Sequence, residues 1–210
     1  MERSDPARGD GGADAPAEPA PEEVGDAVTE AVPVPSLEGG LHRLGFALRL
    51  GVLGAGALVA VGLVDHFSNW PVLTTALGPT AYVLIAHPRS ETARARNAVV
   101  GHAVGIGAAL ASLAVFGLWS APSTYRIGHA SLAQAGAAAM AIGLTLALLH
   151  LLRTHHAPAA ATTLLVATGL ARFGRPLAGL VVGLAIVIAL ASVLVFVPVP
   201  RGARLHGDDA

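Results

Sequence analysis

The stretch His150-Leu151-Leu152-Arg153-Thr154-His155-His156-Ala157-Pro158-Ala159-Ala160-Ala161-Thr162-Thr163-Leu164-Leu165-Val166 decides how this chain is read. A long apolar run ends at His150, two adjacent histidines interrupt it, and Pro158 opens a second apolar run too short to cross a bilayer comfortably. Backbone left unpaired in hydrocarbon costs several kcal/mol per group, so such a break survives only where protein or a water-filled cavity satisfies it. A second break stands at Leu77-Gly78-Pro79-Thr80. Broken helices in a membrane bundle are where transporters build substrate sites.

The composition agrees with a membrane setting. Of 210 residues, 53% are hydrophobic and 13% charged, against about 25% charged in soluble domains. Ten of the 14 acidic residues precede residue 39, and Asp208 and Asp209 close the chain, which leaves only Asp65 and Glu91 in the body. All 13 basic residues are arginine, and 11 of them lie from Arg43 to Arg204. The body therefore carries 11 − 2 = +9 although the whole chain sums to −1. A cationic body in low dielectric concentrates anions, while arginines at segment ends also set topology and bind anionic headgroups. Without cysteine, disulfides, thiolate metal sites and cysteine nucleophiles are excluded. Abundant Ala, Gly and Arg without Lys suggests a GC-rich bacterial genome; the expected location is the plasma membrane, which in a bacterium is the inner membrane.

Residues 1–40 are rich in Ala, Pro, Gly, Asp and Glu without apolar periodicity, and are expected to form a disordered acidic tail. They lack the basic start and apolar run of a secretory signal. Four long spans are expected over residues 44–64, 98–119, 132–152 and 177–197, the first of them 21 residues or roughly 31 Å, enough for a hydrocarbon core near 30 Å. Arg49 sits inside the first span, one turn from its edge, where it can snorkel to the headgroups. Gly51, Gly54 and Gly56 offer that span a smooth face for close contact. Two short apolar runs, 72–86 and 158–171, are cut by Gly78-Pro79 and opened by Pro158. Proline is favoured at the first helical position, so short helices are expected to start at Pro79 and Pro158. Asp65 can cap a turn, pair an arginine or take a proton. Residues 200–210 form a polar C-terminal tail.

The order of long span, broken short run, arginine turn and G-x-x-x-G span occurs twice, over about 44–119 and 132–197. A shift of 79 residues lays Gly78-Pro79 on Ala157-Pro158 and Arg96 on Arg175, and a shift of 78 lays Gly101 and Gly105 on Gly179 and Gly183. The expected fold is an all-α integral membrane bundle of four long transmembrane helices and two short half helices, in two repeats of three segments. If each short run crosses, the repeats are inverted. Six crossings with a cytoplasmic N-terminus put Arg43, Arg89, Arg94, Arg96, Arg153, Arg201 and Arg204 inside against Arg126, Arg172 and Arg175 outside; re-entrant short runs favour the N-terminus outside, split the arginines more evenly, and stay open. The glycine pairs Gly101/Gly105 and Gly179/Gly183 can pack the two halves together or join two copies of the chain.

The candidate substrate-binding residues cluster at the breaks and the arginine loop. They are Gly78, Pro79 and Thr80; Arg96, Asn97 and His102; and His156, Pro158, Thr162 and Thr163. Helix N-termini at the prolines would offer free N–H groups and partial positive charge to a monovalent oxyanion. The threonines would donate hydrogen bonds, Arg96 and Arg175 would draw anions to the two mouths, and the histidines would couple proton to anion binding. No catalytic residue, metal or cofactor is expected, and the partners are a small anion and the lipid bilayer, with no nucleic acid. Two other classes stay open: a structural or regulatory membrane subunit, and a metalloprotein using His150, His155 and His156, whose spacing across a break does not share one helical face.

At Arg96-Asn97-x-x-x-Gly101-His102, at His156-Ala157-Pro158 followed by small residues and threonine, and through Gly78-Pro79-Thr80-Ala81 and Pro88-x-Ser90, the chain resembles the HPP family of integral membrane proteins over roughly residues 41–197. Ala157 replaces the first proline of the family's naming His-Pro-Pro motif. The resemblance implies a four-helix membrane protein and, because some members from cyanobacteria and chloroplasts are linked to nitrite transport, nitrite as the leading candidate among anions.

Overall fold

The computed structural model describes residues 37–194, and every described helix is α-helical apart from one 3-10 turn. The elements are α1 (Leu37–Ser68), α2 (Leu77–Ala86), the 3-10 turn Glu91–Ala93, α3 (Ala95–Val115), the one-turn α4 (Thr124–Ile127), α5 (Leu132–Leu151), α6 (Ala159–Ala167) and α7 (Arg175–Leu194). Helices α1, α3, α5 and α7 are long and apolar enough to cross a membrane. The tail read over 1–40 overlaps α1 by its last four residues, 37–40; the remainder, with the C-terminal tail and its Arg201 and Arg204, lies outside the described residues.

Both breaks begin as helix caps. Asn69 (φ 54°) after α1 and Arg153 (φ 50°) after α5 take the left-handed conformation, which reverses the chain so that its N–H groups can reach back to the last helical carbonyls. After α5 the Thr154 N–H donates to the Leu149 carbonyl at 2.9 Å. Residues 71–74 and 154–156, which are neither helix nor strand, then lead into the short helices. These are shorter than the apolar runs suggest. Helices α2 and α6 have 10 and 9 residues, roughly 15 and 14 Å of rise, so the non-helical lead-in supplies the rest of each short segment's reach. Pro79 is the third residue of α2, and Pro158 is the cap before α6, neither being the first helical residue.

Hydrogen bonds at the two ends of the bundle fix the direction of each segment. At one end Asp65 Oδ2, in the last turn of α1, accepts from the Val72 and Leu73 amides at 2.7 and 2.8 Å. Arg175 Nη2, at the start of α7, donates to the Asn69 carbonyl at 2.6 Å. The Thr124 N–H, at the start of α4, donates to the Thr168 carbonyl just after α6 at 3.0 Å. At the other end Phe46 and Arg49 of α1, Ile85 and Ala86 of α2, Pro88, and Ala191 and Leu194 of α7 surround one small hollow. There, too, the segment before α6 meets the 3-10 turn before α3. Helices α1, α3 and α6 thus run one way and α2, α5 and α7 the other. The first three segments and the last three are related by inversion, and both short segments connect the two ends.

The halves are joined by exchange. A Cβ added to Gly101 of α3 would lie 3.0 Å from the His156 Cβ and 3.4 Å from the Ala159 Cβ; one on Gly105 would lie 2.6 Å from Thr163 Oγ1 and 2.9 Å from the Ala159 carbonyl oxygen. The start of α6 is seated in that groove. On α7, a Cβ at Gly179 would run into the Pro71 carbonyl and one at Gly183 would lie 2.5 Å from the Val72 carbonyl oxygen. The lead-in to α2 is seated there. Both glycine pairs are buried inside the chain, so of the two uses open to them, packing the halves together by close backbone approach is the one found. The face on α1 receives no helix of this chain, because nothing lies within 4 Å of a Cβ at Gly51, Gly54 or Gly56. That helix is held mainly at Ala57 and Val61, while Leu44, Leu48, Val52 and Val59 are exposed.

Candidate functional site

Around Val61, Val72, Leu77, Leu180, Leu184 and Val187 the core is apolar. Between α2, α3, α5 and α6 it is not. Thr80, His102, Thr145, His156, Thr162 and Thr163 are buried, the two histidines at 3% and 1% exposure. A polar group in hydrocarbon must find its partner within the protein, and here each does.

His102 stands two turns into α3, beside the glycine groove. Its Nδ1 meets Thr162 Oγ1 at 2.8 Å, and its Nε2 meets both Thr80 Oγ1 at 3.1 Å and His156 Nε2 at 3.2 Å. The two imidazoles pack edge to face, with centroids 4.9 Å apart. His156 Nδ1 meets the Thr92 carbonyl oxygen of the 3-10 turn at 2.8 Å. Beyond Thr162, the Thr163 and Thr145 hydroxyls meet at 3.0 Å.

A glycine groove explains how two helices with a bulky imidazole between them come this close. Gly101 precedes His102 and leaves room for the His156 side chain, and Gly105 leaves room for Thr163. The i, i+4 spacing places both glycines on the face that receives α6. Threonine suits the rest, because in a helix its hydroxyl can bond to the carbonyl four residues back: Thr80 to Ala76, Thr145 to Ala141 and Thr163 to Ala159, at 2.9, 2.8 and 3.0 Å.

Four of the ten residues read from the sequence, Thr80, His102, His156 and Thr162, join one hydrogen-bonded cluster, and Thr163 with buried Pro158 stands beside it. The other four do not. Arg96 and Pro79 are exposed; Gly78 lines an apolar hollow of about 150 Å³ between α1 and α2; Asn97 Nδ2 donates to the Glu91 carbonyl at 2.8 Å. The expectation of free amides at the prolines fails at α6, where the Ala159, Ala160 and Ala161 N–H groups donate to the His156, Ala157 and Pro158 carbonyls, each at 3.1 Å. At α2 the Leu77 N–H donates to Thr74 at 3.2 Å. Arg175 caps α1, and Asp65 holds a turn, the simplest of the roles open to it. His150 and His155 are exposed and apart from buried His156, and among the described residues no three His, Cys, Asp or Glu side chains converge on a metal position. Two contributors were missed. Thr145 is a lone hydroxyl in the middle of an apolar span and could have been flagged on that ground, whereas the Thr92 carbonyl carries no side-chain signal.

The family model of the HPP transmembrane region matches residues 41–203, which include every residue of this cluster. The chain belongs to the HPP family. No curated protein and no solved structure matches this HPP chain. It is a membrane protein of the family with four candidate spans, and the histidine of its altered naming motif, His156, is the one that meets His102.

Proposed function

We propose that this HPP protein transports a small monovalent anion, with nitrite the leading candidate, and that the His102–His156–threonine cluster is the polar step of the pathway. One observation carries the reading: two ionisable side chains are buried against each other between inverted repeats, at the start of a broken helix. Ionisable residues inside a membrane bundle are costly and mark substrate or proton pathways by default, and inverted repeats build their sites from discontinuous helices. The arginines favour an orientation. Arg43, Arg49, Arg89, Arg94, Arg96 and Arg153 belong to one end of the bundle and Arg126, Arg172 and Arg175 to the other, which supports a cytoplasmic first end, and with it the N-terminus, in a plasma membrane. The proposal assigns the chain no catalysis.

The cluster is closed, so a carrier reading, in which the repeats rock to expose it, is favoured over an open channel. The completeness of its hydrogen bonding also favours a second reading, a structural membrane subunit whose polar cluster pins two halves together. Uptake of nitrite into proteoliposomes of the purified chain separates the two. Protein-dependent uptake supports transport, and equal uptake with and without protein leaves the structural reading.

A further inference from the structure

The heavy-atom geometry fixes the hydrogens of the cluster. The Thr92 carbonyl only accepts, so His156 Nδ1 carries its hydrogen. A neutral His156 then offers a bare Nε2, and the 3.2 Å contact to His102 Nε2 requires the hydrogen on His102. The Thr80 hydroxyl donates to Ala76 and accepts from that same N–H. His102 Nδ1 is consequently bare and accepts from the Thr162 hydroxyl. Every hydrogen is placed, in one direction, from Thr162 through both rings to Thr92.

Two consequences follow for an anion. The neutral cluster has no spare donor: the Thr80, Thr145 and Thr163 hydroxyls bond to carbonyls, Thr162 bonds to His102, and the first amides of α6 are taken. A single added proton changes this. With N–H at His102 Nδ1, the ring becomes cationic and Thr162 must turn its hydroxyl away, which creates a positive charge and a free donor at one place. A second proton would set N–H against N–H across the same 3.2 Å contact, so the pair holds one. The charged side chains of the surrounding elements, Glu91, Arg94, Arg96 and Arg153, and the imidazoles of His150 and His155, are all exposed, so none neutralises the cation in the core. An unpaired charge there is far more costly than any hydrogen bond returns.

We propose that the His102–His156 pair binds one proton together with one monovalent anion, so that transport is electroneutral. This rests on the transport reading. The test uses the full chain in vesicles with an internal pH dye and a membrane potential clamped by potassium and valinomycin, with sodium nitrite as probe and protein-free vesicles as background. Protein-dependent nitrite uptake should follow the pH gradient, carry one proton per anion and ignore the potential. Uptake driven by the potential without proton movement overturns the coupling while leaving anion transport standing. Absence of protein-dependent uptake removes both. Thr162→Val should slow coupled uptake about tenfold, the effect of losing a hydrogen bond to a charged group, and Thr162→Ser should restore it. Nitrogen-15 spectra of histidine-labelled protein give a readout independent of flux: His156 as the Nδ1–H tautomer and His102 as the Nε2–H tautomer are expected, and both rings as Nε2–H overturn the assignment.

Discussion

The two breaks are built alike and filled differently. Each follows a left-handed cap, passes through irregular chain into a helix of two to three turns, and rests in a glycine groove on a long helix of the other half. On α7 the guests are the Pro71 and Val72 backbone and Leu77, within an apolar core. On α3 they are His156, Ala159 and Thr163, within a polar cluster. The inverted architecture therefore does not need the histidines, since one copy is assembled without them. What the second copy adds is chemistry.

The sharpest way to break that comparison is to remove the chemistry alone. His102→Gln and His156→Gln, each in folded protein, should bring nitrite uptake to the protein-free background, whereas Leu77→Ala, at a cost of about 2–5 kcal/mol in stability, should leave uptake per folded molecule in place. If Leu77→Ala abolished uptake as fully, both breaks would belong to the pathway. Next in size are the grooves themselves. Gly105→Ala and Gly183→Ala both drive a Cβ against backbone oxygen, and each should lower stability by about 1–3 kcal/mol, read as thermal unfolding in detergent. Equal losses would show that the two seats are mechanically equivalent.

Asp65→Ala tests the apolar break from its far end. It removes the acceptor of the Val72 and Leu73 amides and should cost on the order of 2 kcal/mol, visible as faster amide exchange over residues 72–77. Thr145→Val, at the edge of the polar break, deletes one hydroxyl contact to Thr163 and should cost about 1 kcal/mol. The smallest effect is expected outside both breaks: Gly54→Ala meets nothing within 4 Å and should leave stability within about 0.5 kcal/mol.

Much of this was legible because bilayers impose simple rules. Apolar length gave the long spans, and proline with glycine or histidine marked the breaks. The positions that lie outside the cluster do so for identifiable reasons. Arg96 and Pro79 lie in the right segments, but helical phase turns them outward, and phase is invisible where every face is apolar. Free amides at the prolines were an inference from dipoles that ignored the preceding turn, whose carbonyls claim them. Glycine spacing announced two close contacts without saying whether the partner was another molecule or the other half.

By itself the sequence determined that this chain lives in a membrane, that two of its segments are broken, and that histidine and threonine stand at those breaks, because hydrocarbon makes length, polarity and proline costly wherever they depart from rule. Only the tertiary structure decided that the halves are inverted and interlocked, that His102 reaches His156 across 54 positions of sequence, and that a backbone carbonyl at Thr92 meets the other ring nitrogen of His156. Those outcomes depend on which groove each short helix enters, and that is a matter of contact between distant residues that no local pattern encodes.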